Sequence, residues 1–159
     1  MVNVHTAHQG DINSMYEIDL RSYDYPLGYI ELKALLQDNN CFTVVAADKS
    51  KVIGYAVFRK DAAAGFLEIV RLAVLPKERQ QGAGSELLRA GRDYGLTANL
   101  YTMYVIVPEI LCCPGDPDDI SRWLGYKGFK ATVPTYPNKF YMYGDSVAGI
   151  KFTRNIDVT

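Results

Sequence analysis

The sequence predicts a mixed α/β protein built on a mostly antiparallel sheet with helices on both faces, and three observations predict it. The chain opens with a strand and two helical stretches. Three consecutive runs rich in β-branched and aromatic residues follow, joined by short turns. A strand, a glycine-spaced loop, a helix and a further strand come next. At 159 residues the length suits one domain, 1–159, large enough to bury a core.

Each element has its own warrant. VNVHTA alternates as a strand does, and Asp11 stands where it can cap a helix through DINSMYEIDLRSY, with Ile12, Met15, Tyr16 and Leu20 at helical spacing. After the YDYP turn, LGYIELKALLQDNN repeats apolar residues at Leu27, Ile30, Leu32, Leu35 and Leu36, and predicts a second helix. CFTVVAA, VIGYAVFR and FLEIVRLAVLP, separated by DKSK and DAAAG, read as three antiparallel strands. The glycine loop then opens a helix over 83–96, followed by the buried strand LYTMYVIV and the irregular PEILCCPGDPD. In GDPDDISRWLGYKGF, Asp116 suits an N-cap, Pro117 the first turn, and Asp118 and Asp119 the positive helix end, so a short helix ends before Gly128. The remainder alternates as closing strands broken by Pro137 and Gly144.

Composition excludes several function classes. With 48% hydrophobic and 22% charged residues and a formal charge of −1, the chain lacks the basic footprint of a nucleic-acid binder. No run approaches the ~20 apolar residues of a membrane span, and the N-terminus lacks the build of a signal peptide, so no membrane partner and a cytoplasmic location are expected. The three cysteines, Cys41 and the adjacent Cys112 and Cys113, form no disulfide framework and fit a reducing compartment. His5 and His8 have no further Cys, His or carboxylate set at ligand spacing, and no metal is expected.

RQQGAG carries the chemistry. A strand followed by a glycine turn and a helix leaves unpaired backbone amides at the positive helix end, which is an anion site. The phosphate-loop pattern GxxxxGK[ST] is absent, and so is GxGxxG, because only Gly82 and Gly84 are present. A glycine pair in such a turn is structural as often as functional, so the surrounding residues decide.

RLAVLPKERQQGAGSELL resembles the acetyl-CoA motif [RQ]xxGx[GA] of the GNAT superfamily of N-acetyltransferases, with Arg79, Gly82 and Gly84 at its diagnostic positions. The likeness extends over nearly the whole chain, whose element order matches the family's, and Gly128 and Phe129 match its Gly-Phe pair after the last helix. The resemblance implies a sheet splayed after the fourth strand, with acetyl-CoA in the opening as co-substrate. It also implies that the backbone amides of Gln80, Gln81, Gly82, Ala83, Gly84 and Ser85, after Arg79, bind the pyrophosphate, while Ala73 and Val74 pair with the pantetheine arm.

Acetylating an amine requires a base, a donor for the thioester carbonyl and a proton for the departing thiolate. Strict alternation puts Phe66, Glu68, Val70, Leu72 and Val74 on one face, so Glu68 is a carboxylate in an apolar row and the candidate base. A solvated or ion-paired Glu68 is the alternative. EIVRLAVLPKERQQGAG also resembles the histone-acetyltransferase branch, with a glutamate at the position of Glu68. The amide of Leu72 or Ala73 becomes the carbonyl donor if this strand carries a bulge. Many family members carry an acidic tyrosine four residues before the Gly-Phe pair; here that position is Leu124, and Tyr126 is the nearby phenol. The fifth strand ends in Pro108 and Glu109, and Glu109 is a reserve base or amine-binding group. SYDYPLGYIELKALL resembles the acceptor-side helices of the branch that acetylates protein N-termini, which places Tyr23, Tyr25 and Tyr29 at the amine; core packing explains them equally well.

The expected function is transfer of acetyl from acetyl-CoA to a primary amine, on a protein N-terminus, a lysine or a small molecule. The alternative is a catalytically weak acyl-CoA-binding or sensing domain. A homodimer remains open.

Overall fold

The first alternating residues form an edge strand, β1 (Val2–Thr6), and a 3-10 turn at Gln9–Asp11 leads into α1 (Ile12–Ser22). α2 (Tyr29–Gln37) precedes the three consecutive strands β2 (Cys41–Asp48), β3 (Lys51–Asp61) and β4 (Phe66–Val74). A second 3-10 turn, Pro76–Glu78, and the glycine loop open α3 (Ala83–Thr97), followed by β5 (Thr102–Pro108), α4 (Ile120–Tyr126), β6 (Lys130–Met142) and β7 (Asp145–Asn155). The computed structural model describes residues 1–23, 26–108, 111–112, 119–142 and 145–156.

The strands form one sheet in the order β1-β2-β3-β4-β5-β7-β6. Every neighbouring pair is antiparallel except β4 and β5. That parallel pair runs from Phe66 opposite Thr102 to Glu68 opposite Tyr104; beyond Glu68 no further pair forms among the described residues. The sheet therefore splays after its fourth strand. Pro137 falls in β6, the last strand of the sheet, where a missing N–H can face away from the ladder.

Alternation along β2 and β3 divides the core into two layers. Val44, Ala46, Ala56 and Phe58 pack under α3 and α4 with Leu87, Leu88 and Leu124, whereas Val45, Tyr55 and Val57 pack under α1 and α2 with Met15, Ile18 and Leu32. Three details differ from the sequence expectation. Leu20 is 42% exposed and Ile30 81% exposed, because Ile18 and Leu32 take the sheet-facing positions of their helices. Asp119 caps α4 by accepting from the Ser121 amide at 3.0 Å, whereas the expectation placed the cap at Asp116, outside the described residues. Asp11 stands at the N-cap of α1 but makes no capping hydrogen bond with its side chain.

α3 lies close enough to the sheet that Gly91 has no room for a methyl group. A Cβ there would sit 2.3 Å from a ring carbon of Phe58, which is fully buried. Gly91→Ala is expected to lower the unfolding free energy by about 1–3 kcal/mol despite alanine's better helix propensity. Chemical denaturation checks this; a stabilised variant would contradict the packing.

Candidate active site

The glycine loop has the backbone of an anion cradle. Gln80 (φ 69°) and Gly82 (φ 87°) are both left-handed within three residues. Such residues turn successive amides toward one concavity. Gly82 caps α3 without a side-chain bond, and the first backbone bond that closes the helix runs from the Glu86 amide to the Gly82 carbonyl. The amides of Ala83, Gly84 and Ser85 thus stand at the positive helix end without helical partners. A Cβ on Gly82 would meet nothing within 4 Å, so the space over the loop is open. Arg79 donates from Nε to the Val74 carbonyl at 3.0 Å and ties the loop to the end of β4.

β4 contains the irregularity that frees its edge. Val57 faces Arg71 and the next β3 residue, Phe58, faces Ile69, so Val70 has no partner and forms a bulge. The bulge breaks the expected row of Phe66, Glu68, Val70, Leu72 and Val74. Leu67, Ile69, Leu72 and Val74 pack on the α3 side, Val70 and Ala73 pack on the α1 side, and Arg71 also reaches toward α1. Glu68 is therefore not on the face of Leu72 and Val74. The Leu72 carbonyl accepts from the Tyr23 hydroxyl at 2.5 Å and the Val74 carbonyl from Arg79, so both residues present their main chain away from β3. In a strand the N–H of a residue shares the direction of its carbonyl. The Leu72 and Val74 amides consequently face the splay, while Ala73, opposite Tyr55, turns its main chain toward β3.

Glu68 occupies the last paired position before the splay opens. Its carboxylate lies 3.4 Å from Arg59 Nη1, its side chain is 24% exposed, and its neighbour on β5 is Tyr104. It is thus half-buried and ion-paired rather than set among apolar neighbours. Burial, then the Glu68 charge, pushes the Tyr104 phenol above its usual pKa. Lys151 Nζ stands 4.4 Å from the centre of the Tyr104 ring. Leu124 is buried in the core, and Tyr126 follows it by about 200° around α4. Tyr126 is accordingly 75% exposed, 3.3 Å from Arg122 Nε, and points away from the core face. Tyr29 is 43% exposed and meets Tyr16 edge-on. Tyr25 and Glu109 lie outside the described residues.

Sequence reasoning missed a buried cluster beside the splay. Asp19 is fully buried and accepts from Arg71 Nε at 2.9 Å, Arg71 Nη2 at 2.8 Å, the Tyr55 hydroxyl at 2.5 Å and the Leu27 amide at 2.6 Å. The Arg71 guanidinium also stacks 3.7 Å over the Tyr23 ring. One carboxylate thereby anchors the connection between α1 and α2 to the strand that offers the Leu72 amide. The signal was an aspartate at helical spacing from Ile12 and Met15, on the apolar face of α1.

Burial, with the Asp19 charge adding to it, raises the Tyr55 phenol, and burial raises Tyr23 as well. Both pKa values lie above the unfolded value of about 10. The stability these phenols contribute is therefore complete below that pH and is lost as pH climbs above it. Denaturant unfolding measured from pH 8 upward is expected to show a decline beginning near pH 10, weaker in Tyr55→Phe.

Beside Ser85, a cleft of about 160 Å³ is lined by Leu88, Arg89, Arg92, Met103, Lys127 and Arg154. Lys127 Nζ donates to Ser85 Oγ at 2.5 Å, and Arg92 Nε is buried without a hydrogen-bond partner among the described residues. Away from the splay, folding brings His5 and His8 together with Asp11, a grouping that linear spacing did not reveal. Among the described residues no helix is long and apolar enough to cross a membrane.

Residues 12–109, from the start of α1 to one residue past β5, match the family model described as the Acetyltransferase (GNAT) family. No curated protein matches the sequence. Among solved structures, the chain is similar to the ribosomal-protein-S18-alanine N-acetyltransferase of Escherichia coli, at 16% identity and TM-score 0.80, over 100% of this chain and 96% of that one. It is similar to the spermidine/spermine N-acetyltransferase SpeG of Vibrio cholerae, at 18% identity and TM-score 0.74, over 98% and 92%. It is also similar to yncA of Salmonella typhimurium, solved with its cofactor acetyl-CoA, at 17% identity and TM-score 0.77, over 100% and 96%. At these identities the likeness is one of fold.

Proposed function

Because this chain belongs to the GNAT acetyltransferase family, we propose that it transfers the acetyl group of acetyl-CoA directly to a primary amine bound in the same complex. The observation that carries this reading is the free edge of β4, which runs into an anion cradle. The amides of Gln80, Gln81, Gly82, Ala83, Gly84 and Ser85 receive the pyrophosphate, and the cations beside Ser85 face the remaining negative charge of the coenzyme. Val74 receives the pantetheine arm, with Arg79 releasing its carbonyl as the arm docks. This revises the part expected of Ala73, whose main chain faces β3.

The Leu72 amide polarises the thioester carbonyl and stabilises the oxyanion that forms on amine attack. Glu68, through a water molecule, accepts the proton of the amine, so that the neutral amine attacks the carbonyl carbon. The attacking nitrogen gives up its second proton to water as the tetrahedral intermediate collapses, and the coenzyme A thiolate that leaves takes a proton from water or a phenol of the cleft. Tyr126 is poorly placed for that step because it points into solvent. The acceptor enters from the α1–α2 side, which Tyr23 and Leu27 border. Protein N-termini, lysines and small-molecule amines all satisfy this chemistry.

The buried Leu124, at the position of the family's acidic tyrosine, favours a second reading, an acyl-CoA-binding or sensing domain with weak chemistry. Thiol release from acetyl-CoA across a panel of peptides, polyamines and other small amines separates the two. Amine-dependent release supports transfer, and tight binding without release on any amine supports the second reading.

The cradle yields its own prediction. Gly82→Ala forces a side chain into a left-handed conformation that costs about 1–2 kcal/mol. The KM for acetyl-CoA is expected to rise about tenfold, with kcat largely kept, in steady-state kinetics. An unchanged KM would show that the loop does not hold the donor.

A further inference from the structure

A second site lies at the start of α1, at the opposite end of that helix from Tyr23. One imidazole nitrogen from each of His5 and His8 and one carboxylate oxygen of Asp11 lie within 4.8 Å of one another. His8 Nδ1 is 3.4 Å from Asp11 Oδ2, close to the ~3.3 Å edge of a tetrahedron with metal–ligand bonds of about 2.0–2.1 Å. The two imidazole rings stack at 6.1 Å and 24°. We propose that His5, His8 and Asp11 bind one divalent transition-metal ion of the zinc class.

The carboxylate is held ready for a cation. Asp11 stands where it would cap α1, yet it makes no such bond; Oδ2 instead accepts the His8 amide at 3.0 Å, through the 3-10 turn Gln9–Asp11. A second interaction that fixes a ligating carboxylate is the usual support of a metal ligand. Asp11 is buried, and its sole ion-pair partner among the described residues is His8, whose side chain is 71% exposed. A buried carboxylate is costly without a compensating charge. An ion held by both rings supplies that charge directly.

The donor set selects the ion. Two imidazoles and one carboxylate suit zinc, cobalt or nickel, whereas magnesium and calcium prefer oxygen ligands. Three protein ligands leave further coordination positions to water. The site joins the end of β1 to the start of α1. β2 and β3 lie between β1 and the free edge of β4, so this inference is independent of acetyl transfer.

The test uses the full chain, stripped with a chelator, dialysed and titrated with zinc alone by calorimetry, with cobalt absorption as a second readout. One equivalent per chain, a raised Tm on zinc addition, and loss of both in His8→Ala and Asp11→Asn support the site. His5→Ala alters only an exposed side chain, so it keeps the test decisive if the other variants fold poorly. Absence of uptake by the wild-type chain overturns the proposal. So does uptake that persists unchanged in His5→Ala, because the ion would then sit elsewhere.

Discussion

Asp19→Asn is expected to lower the unfolding free energy by about 3–5 kcal/mol, the usual cost of breaking a buried ion pair from one side. Asp19 is fully buried, and its two oxygens meet four donors: two from Arg71, one from Tyr55 and one from the Leu27 amide. Asparagine removes the charge that compensates Arg71 and points a donor at groups that already donate. The Arg71 guanidinium titrates above its ordinary range: burial, the largest single influence, works against its charge, but the Asp19 hydrogen bonds and the charges of Tyr23, Asp19 and Tyr55 together outweigh it. Urea unfolding measures the loss, and a change below about 1 kcal/mol would show that the Asp19 carboxylate does not compensate Arg71 in the fold. Replacing both partners, Asp19→Leu with Arg71→Met, is expected to lose less than the single substitution, since no charge is left buried alone. The single variant should also raise the KM for the amine, because Leu27 loses its anchor.

Glu68→Gln is expected to reduce kcat/KM by about 10²–10⁴-fold, the range that positioned proton transfer supplies, with acetyl-CoA affinity unchanged. The side chain stands at the last paired position of β4 and β5, next to Tyr104, where the splay begins. Its partner Arg59 at 3.4 Å fixes the carboxylate without covering it, since 24% of the side chain remains exposed. Glutamine keeps the shape and loses the proton acceptor. Full kcat across the pH range in this variant would assign the base elsewhere.

Local signals were legible in the sequence, and signals that depend on register were not. RQQGAG could be read because a glycine-spaced turn between a strand and a helix has few conformations, and the cradle has the positive φ values that such a turn requires. The three-strand run and the order of helices were legible for the same reason. The bulge at Val70 depends on how β3 pairs with β4, so strict alternation puts Glu68 on one face with Leu72 and Val74, which it does not share. Asp19 and Arg71 are 52 residues apart, and no local pattern joins them. The turn that gathers His5, His8 and Asp11 also directs the Asp11 side chain to the His8 amide and not to the start of α1, which sequence spacing does not show.

The proposed reaction is direct transfer from a thioester held at the Leu72 amide to an amine in the same complex. Initial-rate kinetics with varied acetyl-CoA and amine, with the enzyme's mass recorded during turnover, test it most directly. Amine-dependent coenzyme A release, intersecting double-reciprocal lines and no acetylated enzyme are expected. Parallel lines with an acetyl group on the protein, or acetyl-CoA bound without release, would contradict it.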